Sequence, residues 1–258
     1  MATTSEPPAA TIYTPRPRSP YALLVFILAI IVAVAAILSG FGSRWGWWHF
    51  GVGFSILRYA AYAGVVVAVL SIISIIVTRL GSGRRGLGFS IAAFVIALLT
   101  FLGPYLTLRY ARQFPPIHDV TTDTDNPPQF VAIAPIRANA PNPIEYGGPE
   151  VAAKQHEAFP DIQPLQLDLP PDQAFQRALD AARDMGWEIV AADPAAGRIE
   201  ATATTLWYGF KDDVVIRLTP RDGATTLDVR SVSRVGGGDL GVNANRVRDY
   251  LEEVQEED

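Results

Sequence analysis

Apolar positions run continuously through the first part of the chain and periodically through the last, with a stretch of neither kind between them. Residues 22–39, 59–78 and 86–108 contain no charged side chain. A hydrocarbon core of ~30 Å requires ~20 helical residues at ~1.5 Å each. The runs therefore predict three transmembrane helices, at about 22–39, 57–78 and 86–108. From residue 164 the pattern changes to short periods. "PLQLDL" (164–169) alternates and reads as a strand. In the following segment Phe175, Ala178, Leu179, Ala182 and Met185 recur at helical spacing, with Pro171 suited to the first turn and Gly186 to the stop. "WEIVAAD", "GRIEATATT", "DVVIRLTP" and "TTLDVRSVS" then read as strands, separated by turn signals at Asp193-Pro194…Gly197 and Arg221-Asp222-Gly223. A final helix is predicted from the stripe Val247, Leu251 and Val254, with Asp239 placed to cap it.

Strand, helix, four strands, helix is the order of an α+β fold: a soluble antiparallel sheet of about four to five strands with two helices packed on one face, preceded by three transmembrane helices. Between 113 and 160, nine prolines and many Asp, Asn, Thr and Gly residues predict an extended, turn-rich segment. It carries one apolar run worth burying, Phe130, Val131, Ile133 and Ile136. The expected division is a tail at 1–20, a membrane domain at 21–112, a Pro-rich extended segment at 113–159 and an α+β domain at 160–258.

Charge sharpens this division. Residues 1–112 hold nine arginines against the single acid Glu6, whereas residues 113–258 hold 12 basic and 25 acidic side chains. The net charge of −5 thus hides a basic membrane part and an acidic soluble part. An acidic domain lacks the basic footprint that phosphate backbones require, which argues against nucleic-acid binding. Arg16 and Arg18 before the first span, and Arg79, Arg84 and Arg85 between the second and third, predict that these segments are cytoplasmic and that the C-terminal domain is extracytoplasmic. Arg109 and Arg112, beyond the third span, pull the other way. The opposing loop carries Trp45, Trp47, Trp48 and His49, residues suited to an aromatic belt at the bilayer interface. Ala33-Val34-Ala35 resembles a signal-peptidase site, but the apolar run is longer than a signal core of ~7–15 residues and two further spans follow it. Arg58, at the edge of the second span, can snorkel to the bilayer interface, and the cores of the spans hold no charged residue that would mark an ion pathway. Ala60, Gly64 and Ala68 permit close helix packing, within the chain or in a homo-oligomer.

With no cysteine in the chain, disulfides, thiolate metal sites and cysteine nucleophiles are excluded. No nucleophile elbow or phosphate loop is present, and no cofactor is expected. Four groups of residues remain as candidates. On the strands, Ile199, Ala201 and Ala203, and likewise Val214, Ile216 and Leu218, alternate with polar residues. Glu200, Arg217, Asp228 and Arg230 therefore share one face, which is either solvated or a docking platform. The aromatic turn "TTLWYGFKDD" offers Trp207, Phe210, Lys211 and Asp212 as contacts, or plugs a sheet end. "RVGGGDLG" opens the last helix and places Arg234, Asp239, Asn243 and Arg246 around a helix N-terminus that could hold an anion. His118, Asp119, Asp123 and Asp125, in "PPIHDVTTDTDNPPQF", could supply hard-cation ligands or form local turns.

Those strings carry a resemblance. "RIEATATTLWYGFKDDVVIRL", "DVRSVSRVGGGDLGVNANRVRDYL" and "PPIHDVTTDTDNPPQF" together resemble the bacterial family called domain of unknown function 1499, over about residues 113–255. The matching positions are Trp207, Gly209, Phe210, Lys211, Asp212 and Asp213, then Ser233, Arg234, Gly236, Asp239, Leu240, Gly241, Asn243, Ala244 and Arg246. Pro170 departs from the N-capping Ser or Asp expected before the helix. The resemblance implies no activity, cofactor or catalytic residue. The expected role is that of a membrane-anchored bacterial envelope protein in the inner membrane, with a non-enzymatic periplasmic domain that binds a ligand or another envelope protein. The alternative is a hydrolase or metal-dependent enzyme working at the loop around His118.

Overall fold

The computed structural model describes residues 17, 19–79 and 85–256. Arg16, Arg18 and Arg84, part of the charge pattern above, lie outside the described residues. The chain forms two compact units, one comprising residues up to Ser39 with Gly51–Pro104, the other Gly40–Phe50 with the chain from Tyr105 onward.

The three uninterrupted apolar runs give α1 (Pro20–Arg44), α2 (Phe50–Arg79) and α3 (Leu87–Ala111), each long and apolar enough to cross a membrane. Within the first unit Val25, Ala29, Val67, Ala93 and Ala97 form the contact core. Small residues set the spacing: a Cβ at Gly64 would lie 3.0 Å from the Ala97 carbonyl, so α2 meets α3 backbone to backbone. Ala60 is buried in the same unit. The Ser74 and Ser90 hydroxyls bond across the helices at 2.7 Å, satisfying each other away from water. Ser19 accepts the Ala22 amide as the cap of α1, and its own amide donates to the Arg85 carbonyl.

The second unit is an antiparallel sheet. Its strands are β1 (Asp119–Thr121), β2 (Leu165–Leu167), β3 (Glu188–Asp193), β4 (Arg198–Thr204), β5 (Lys211–Arg221) and β6 (Ala224–Ser233). The order is β1-β6-β5-β4-β3, with β2 pairing the other end of β6. The β5–β6 hairpin closes at Asp222-Gly223, whose φ values of 40° and 89° are those of a two-residue turn matching strand twist. The α+β class is as the periodicity predicts. The sheet has one strand more than expected, because β1 lies in the Pro-rich stretch and gives no alternation long enough to read.

On one face lie α6 (Pro171–Asp184) and α7 (Val242–Glu256). Phe175, Ala178, Leu179 and Ala182 of α6 and Val247, Tyr250 and Val254 of α7 cover Ile199, Ala201, Val214, Ile216, Leu227 and Val229. Tyr250 ties the layer together, stacking on Trp187 and donating to the Ala178 carbonyl at 2.8 Å. Pro170 supplies no side-chain cap; its carbonyl accepts the Ala174 amide, and Pro171 needs no donor partner in the first turn.

Residues 113–159 are turn-rich, as their prolines suggest, but also contain short regular elements. They hold β1, the short α4 (Ile133–Ile136) and α5 (Gly148–Ala158), where Pro149 occupies the first turn that tolerates it. Gln155 of α5 accepts from the Thr121 amide at 3.0 Å and donates to the Thr121 carbonyl at 2.7 Å. Its side chain thus replaces a missing neighbour on the outer edge of β1.

Candidate functional site

The second face of the sheet is polar, as the alternation predicts, yet it is neither solvated nor open as a platform. Residues 122–147 fold over it. Phe130 and Ile133 pack on Val215 and Val232 to make a second small core. Around that core the buried charges find partners in the chain. Glu200, 0% exposed, accepts the amides of Val131, Ala132 and Ile133 at 2.8–3.0 Å and so holds the start of α4. Arg230, also 0% exposed, is bidentate on Asp119, donates to the Pro128 and Ile144 carbonyls, and lies against the rings of Phe130 and Tyr146. Asp213 accepts from Arg137, Arg234 and Thr202. Burial carries a cost that only full pairing offsets. Tyr146 carries part of it: its buried hydroxyl lacks a hydrogen-bond partner among the described residues, and burial pushes its pKa up to about 12.

The glycine-rich turn is committed in the same way. The Asp239 carboxylate accepts the Gly241 amide at 3.0 Å and the Asn243 amide at 2.6 Å, making the cap expected for α7. Burial raises its pKa against the pull of those two donors. Arg246 turns inward to Asp212 at 2.7 Å and to Asn243 and Ser231, and Asn243 donates to the His118 carbonyl. The helix N-terminus is occupied by its own carboxylate, and Arg234 and Arg246 face aspartates.

The acidic loop is dispersed rather than gathered. Asp119 lies under Arg230; Asp123 accepts the Asp125 and Asn126 amides and bonds Arg217 at 2.8 Å; Asp125 is exposed. His118 is half-buried, and its carbonyl is what ties strand to helix. Among the described residues no three His, Cys, Asp or Glu side chains come close enough to share an ion. Arg217, clamped between Asp123 and Asp228, lines a polar cleft of about 310 Å³ with Gln166, Thr219 and Arg221. A groove of about 580 Å³ beside Phe175, Leu179 and Pro194 is mostly apolar.

One place brings several predicted contacts to the surface together. The β4–β5 loop folds on itself, with the Thr205 amide bonding the Phe210 carbonyl and the Phe210 amide bonding the Thr205 hydroxyl. Tyr208 and Phe210 stack with ring centres 5.4 Å apart, and Trp207 meets Tyr208 edge-on. Against this loop lies the connection 40–50, part of the same unit. Arg44 donates to the Thr205 and Leu206 carbonyls at 2.7 and 3.0 Å. Gly209, at φ +70°, leaves room for the Arg44 stem, which a Cβ would approach to 3.0 Å. A Cβ at Gly40 would collide with the Trp207 indole, so the absence of a side chain there lets the ring seat. Phe50 meets Phe210 edge-on at 5.6 Å. Between the two segments is a hollow of about 310 Å³, walled by Trp48, Phe50, Tyr208 and Phe210 with Lys211 and Arg234 at its side and Ser43 and His49 on its lining. Aromatic walls beside cations suit a ligand with an apolar body and an anionic group.

The sheet, its charge networks and loop 205–210 fall inside a family match, whereas the connection 40–50 lies outside it. The model for "Protein of unknown function (DUF1499)" covers residues 119–254, more than half of the chain. The chain belongs to the DUF1499 family. No curated protein matches it. The DUF1499 match begins at β1, inside the Pro-rich stretch, and ends in α7. It therefore takes in the cover over the polar sheet face as well as the sheet.

Sequence reasoning found Trp207, Phe210, Lys211 and Arg234 but not Phe50, which walls the hollow from a distant stretch, nor Arg44 and Gly40, which seat the loop. Arg44 reads as one more flanking arginine of a membrane helix. Its two carbonyl acceptors lie more than 160 residues away, and no local pattern announces them.

Proposed function

We propose that this protein is a membrane-anchored component of the bacterial cell envelope, whose DUF1499 domain lies outside the cytoplasm and acts by binding rather than by catalysis. The single observation that supports this most is the distribution of partners. The buried carboxylates and guanidiniums of the polar sheet face are paired with one another, and among the surface hollows one has aromatic walls with Lys211 at its edge. Such a lining recognises a ligand and offers no paired acid and base. Phe210, Lys211, Arg234 and Trp207 are the contacts of this reading. The extracytoplasmic side follows from Arg79 and Arg85 between the second and third spans.

Two experiments test it. Reporter fusions at residues 82 and 258 should give opposite signals; identical signals overturn the three-span orientation. A photoreactive residue at Phe210, in the full-length protein in cells, should give a discrete adduct that is absent with the same group at Ala195. Equal labelling at both positions, or none at Phe210, removes the hollow as a binding site.

A further inference from the structure

We propose that the hollow and its rim form a bilayer-docking surface, in which loop 205–210 enters the lipid headgroup zone and Lys211, beside the Asp213-paired Arg234, receives the phosphate of an anionic phospholipid. This rests on the binding reading above and names its ligand.

Large apolar side chains are turned outward around the hollow. Leu206 is 77% exposed, Trp47 61%, Trp45 54% and Trp207 38%. In a soluble domain such a patch marks a contact surface, and indole rings with a polar N–H favour the boundary between hydrocarbon and water. Continuity identifies the occupant. Residues 45–49 join α1 to α2, both long and apolar enough to span a bilayer, so this connection lies where the hydrocarbon ends. Loop 205–210 is fastened to the helix ends that flank this connection, by the Arg44 hydrogen bonds, the Gly40–Trp207 contact and the Phe50–Phe210 pair. A loop held against an interfacial connection shares its depth.

Charge points the same way. The chain from 113 onward carries 12 basic and 25 acidic residues, yet cations gather here. Arg44 lies on the loop, Lys211 is exposed at the hollow, and Arg234 lines it. Asp213 pairs Arg234 and Asp212 is held by Arg246, so the acids beside Lys211 are already engaged by arginines. An acidic domain would be repelled by an anionic surface everywhere except at such a spot.

The chain contains no cysteine, so single spin labels can be placed without removing any residue. Full-length Leu206→Cys and Ala195→Cys, labelled and reconstituted in phosphatidylcholine–phosphatidylglycerol nanodiscs, are compared by collision with oxygen and with a nickel chelate. Position 206 should favour oxygen and position 195 nickel; matching profiles overturn the docking. In the same discs, spin-labelled phosphatidylglycerol should be immobilised in preference to phosphatidylcholine. Lys211→Glu should cut that preference about fivefold or more, from ~1 kcal/mol per basic residue near a charged surface, and Lys211→Arg should retain it. A preference unchanged by Lys211→Glu removes the phosphate site. If the Phe210 photoadduct is a protein and no lipid is trapped, binding at the hollow stands and the lipid assignment falls.

Discussion

The two faces of the sheet are built from the same strands and are buried to the same depth, but by opposite chemistry. Under α6 and α7 the strands present Ile199, Val214, Ile216, Leu227 and Val229, and burial of apolar area holds the layers together. On the other face the same strands present Glu200, Thr202, Asp213, Asp228 and Arg230, nearly all inaccessible to water. There the cover stays because charges are matched and backbone donors are capped. An apolar contact tolerates small displacements, since its attraction is non-directional. A buried ion pair does not, because each unmade bond leaves a desolvated charge. The polar face should therefore fail abruptly where the apolar face fails gradually.

Removing Arg230 is the most severe way to break this contrast. Arg230→Ala leaves Asp119 ionised and unpaired in the interior, at a cost of about 3–5 kcal/mol. Denaturant unfolding should show the loss, and hydrogen exchange should show it first in residues 122–147. Pairing Arg230→Met with Asp119→Leu should recover much of it, since an apolar replacement of a buried pair is often neutral. If the single and double variants are equally unstable, the face is held by shape and not by charge pairing.

Glu200→Gln comes next. The neutral amide loses the charge-assisted bonds to the Val131, Ala132 and Ile133 amides and the partner of Arg198. A loss of about 1.5–3 kcal/mol is expected, with the amides around α4 exchanging faster while α6 and α7 stay protected. Faster exchange in α6 as well would mean that the two faces are not separable.

How far the sequence reveals these faces follows from what each depends on. Alternation such as Ile199, Ala201, Ala203 against Glu200 and Thr202 tells which side a residue takes, and the structure follows it on β4, β5 and β6. It does not tell whether the polar side meets water, because the cover is supplied by residues 122–147, whose prolines mask any period. Asp239 was legible as a cap because the two amides it accepts, those of Gly241 and Asn243, lie within four residues. The pairs Asp119–Arg230 and Asp213–Arg137, and the Arg44 latch at the hollow, join residues 76 or more positions apart. Only the folded chain brings them together.

Tyr146 sharpens the comparison by pH. Its pKa is raised to about 12, so the folded state keeps the proton after the unfolded chain has lost it. This tyrosine leaves stability independent of pH below the ordinary tyrosine value of ~10 and lowers it as pH rises from there through 12, because ionisation is penalised only in the folded state. Urea midpoints should fall over that window in the native protein and fall less in Tyr146→Phe. At neutral pH that variant should be unchanged or up to about 1 kcal/mol more stable, because it removes a buried hydroxyl that has no partner among the described residues. A marked destabilisation at pH 7 would show that the hydroxyl is bonded.

The smallest effect is expected from an ion pair of similar chemistry at the rim. Arg248 is bidentate on Asp161, but Asp161 keeps 54% of its side chain in water and Arg248 31%. The hydrogen bond from Arg248 holds the Asp161 carboxyl below its ordinary range, so its contribution is present above that range and lost as pH falls through the lowered value. Solvent screening limits it to about 0.2–1 kcal/mol. Asp161→Asn should shift the urea midpoint slightly at pH 7 and not at all near pH 2. If this variant cost as much as Arg230→Ala, enclosure would not be what makes the polar face brittle, and charge pairing alone would account for both.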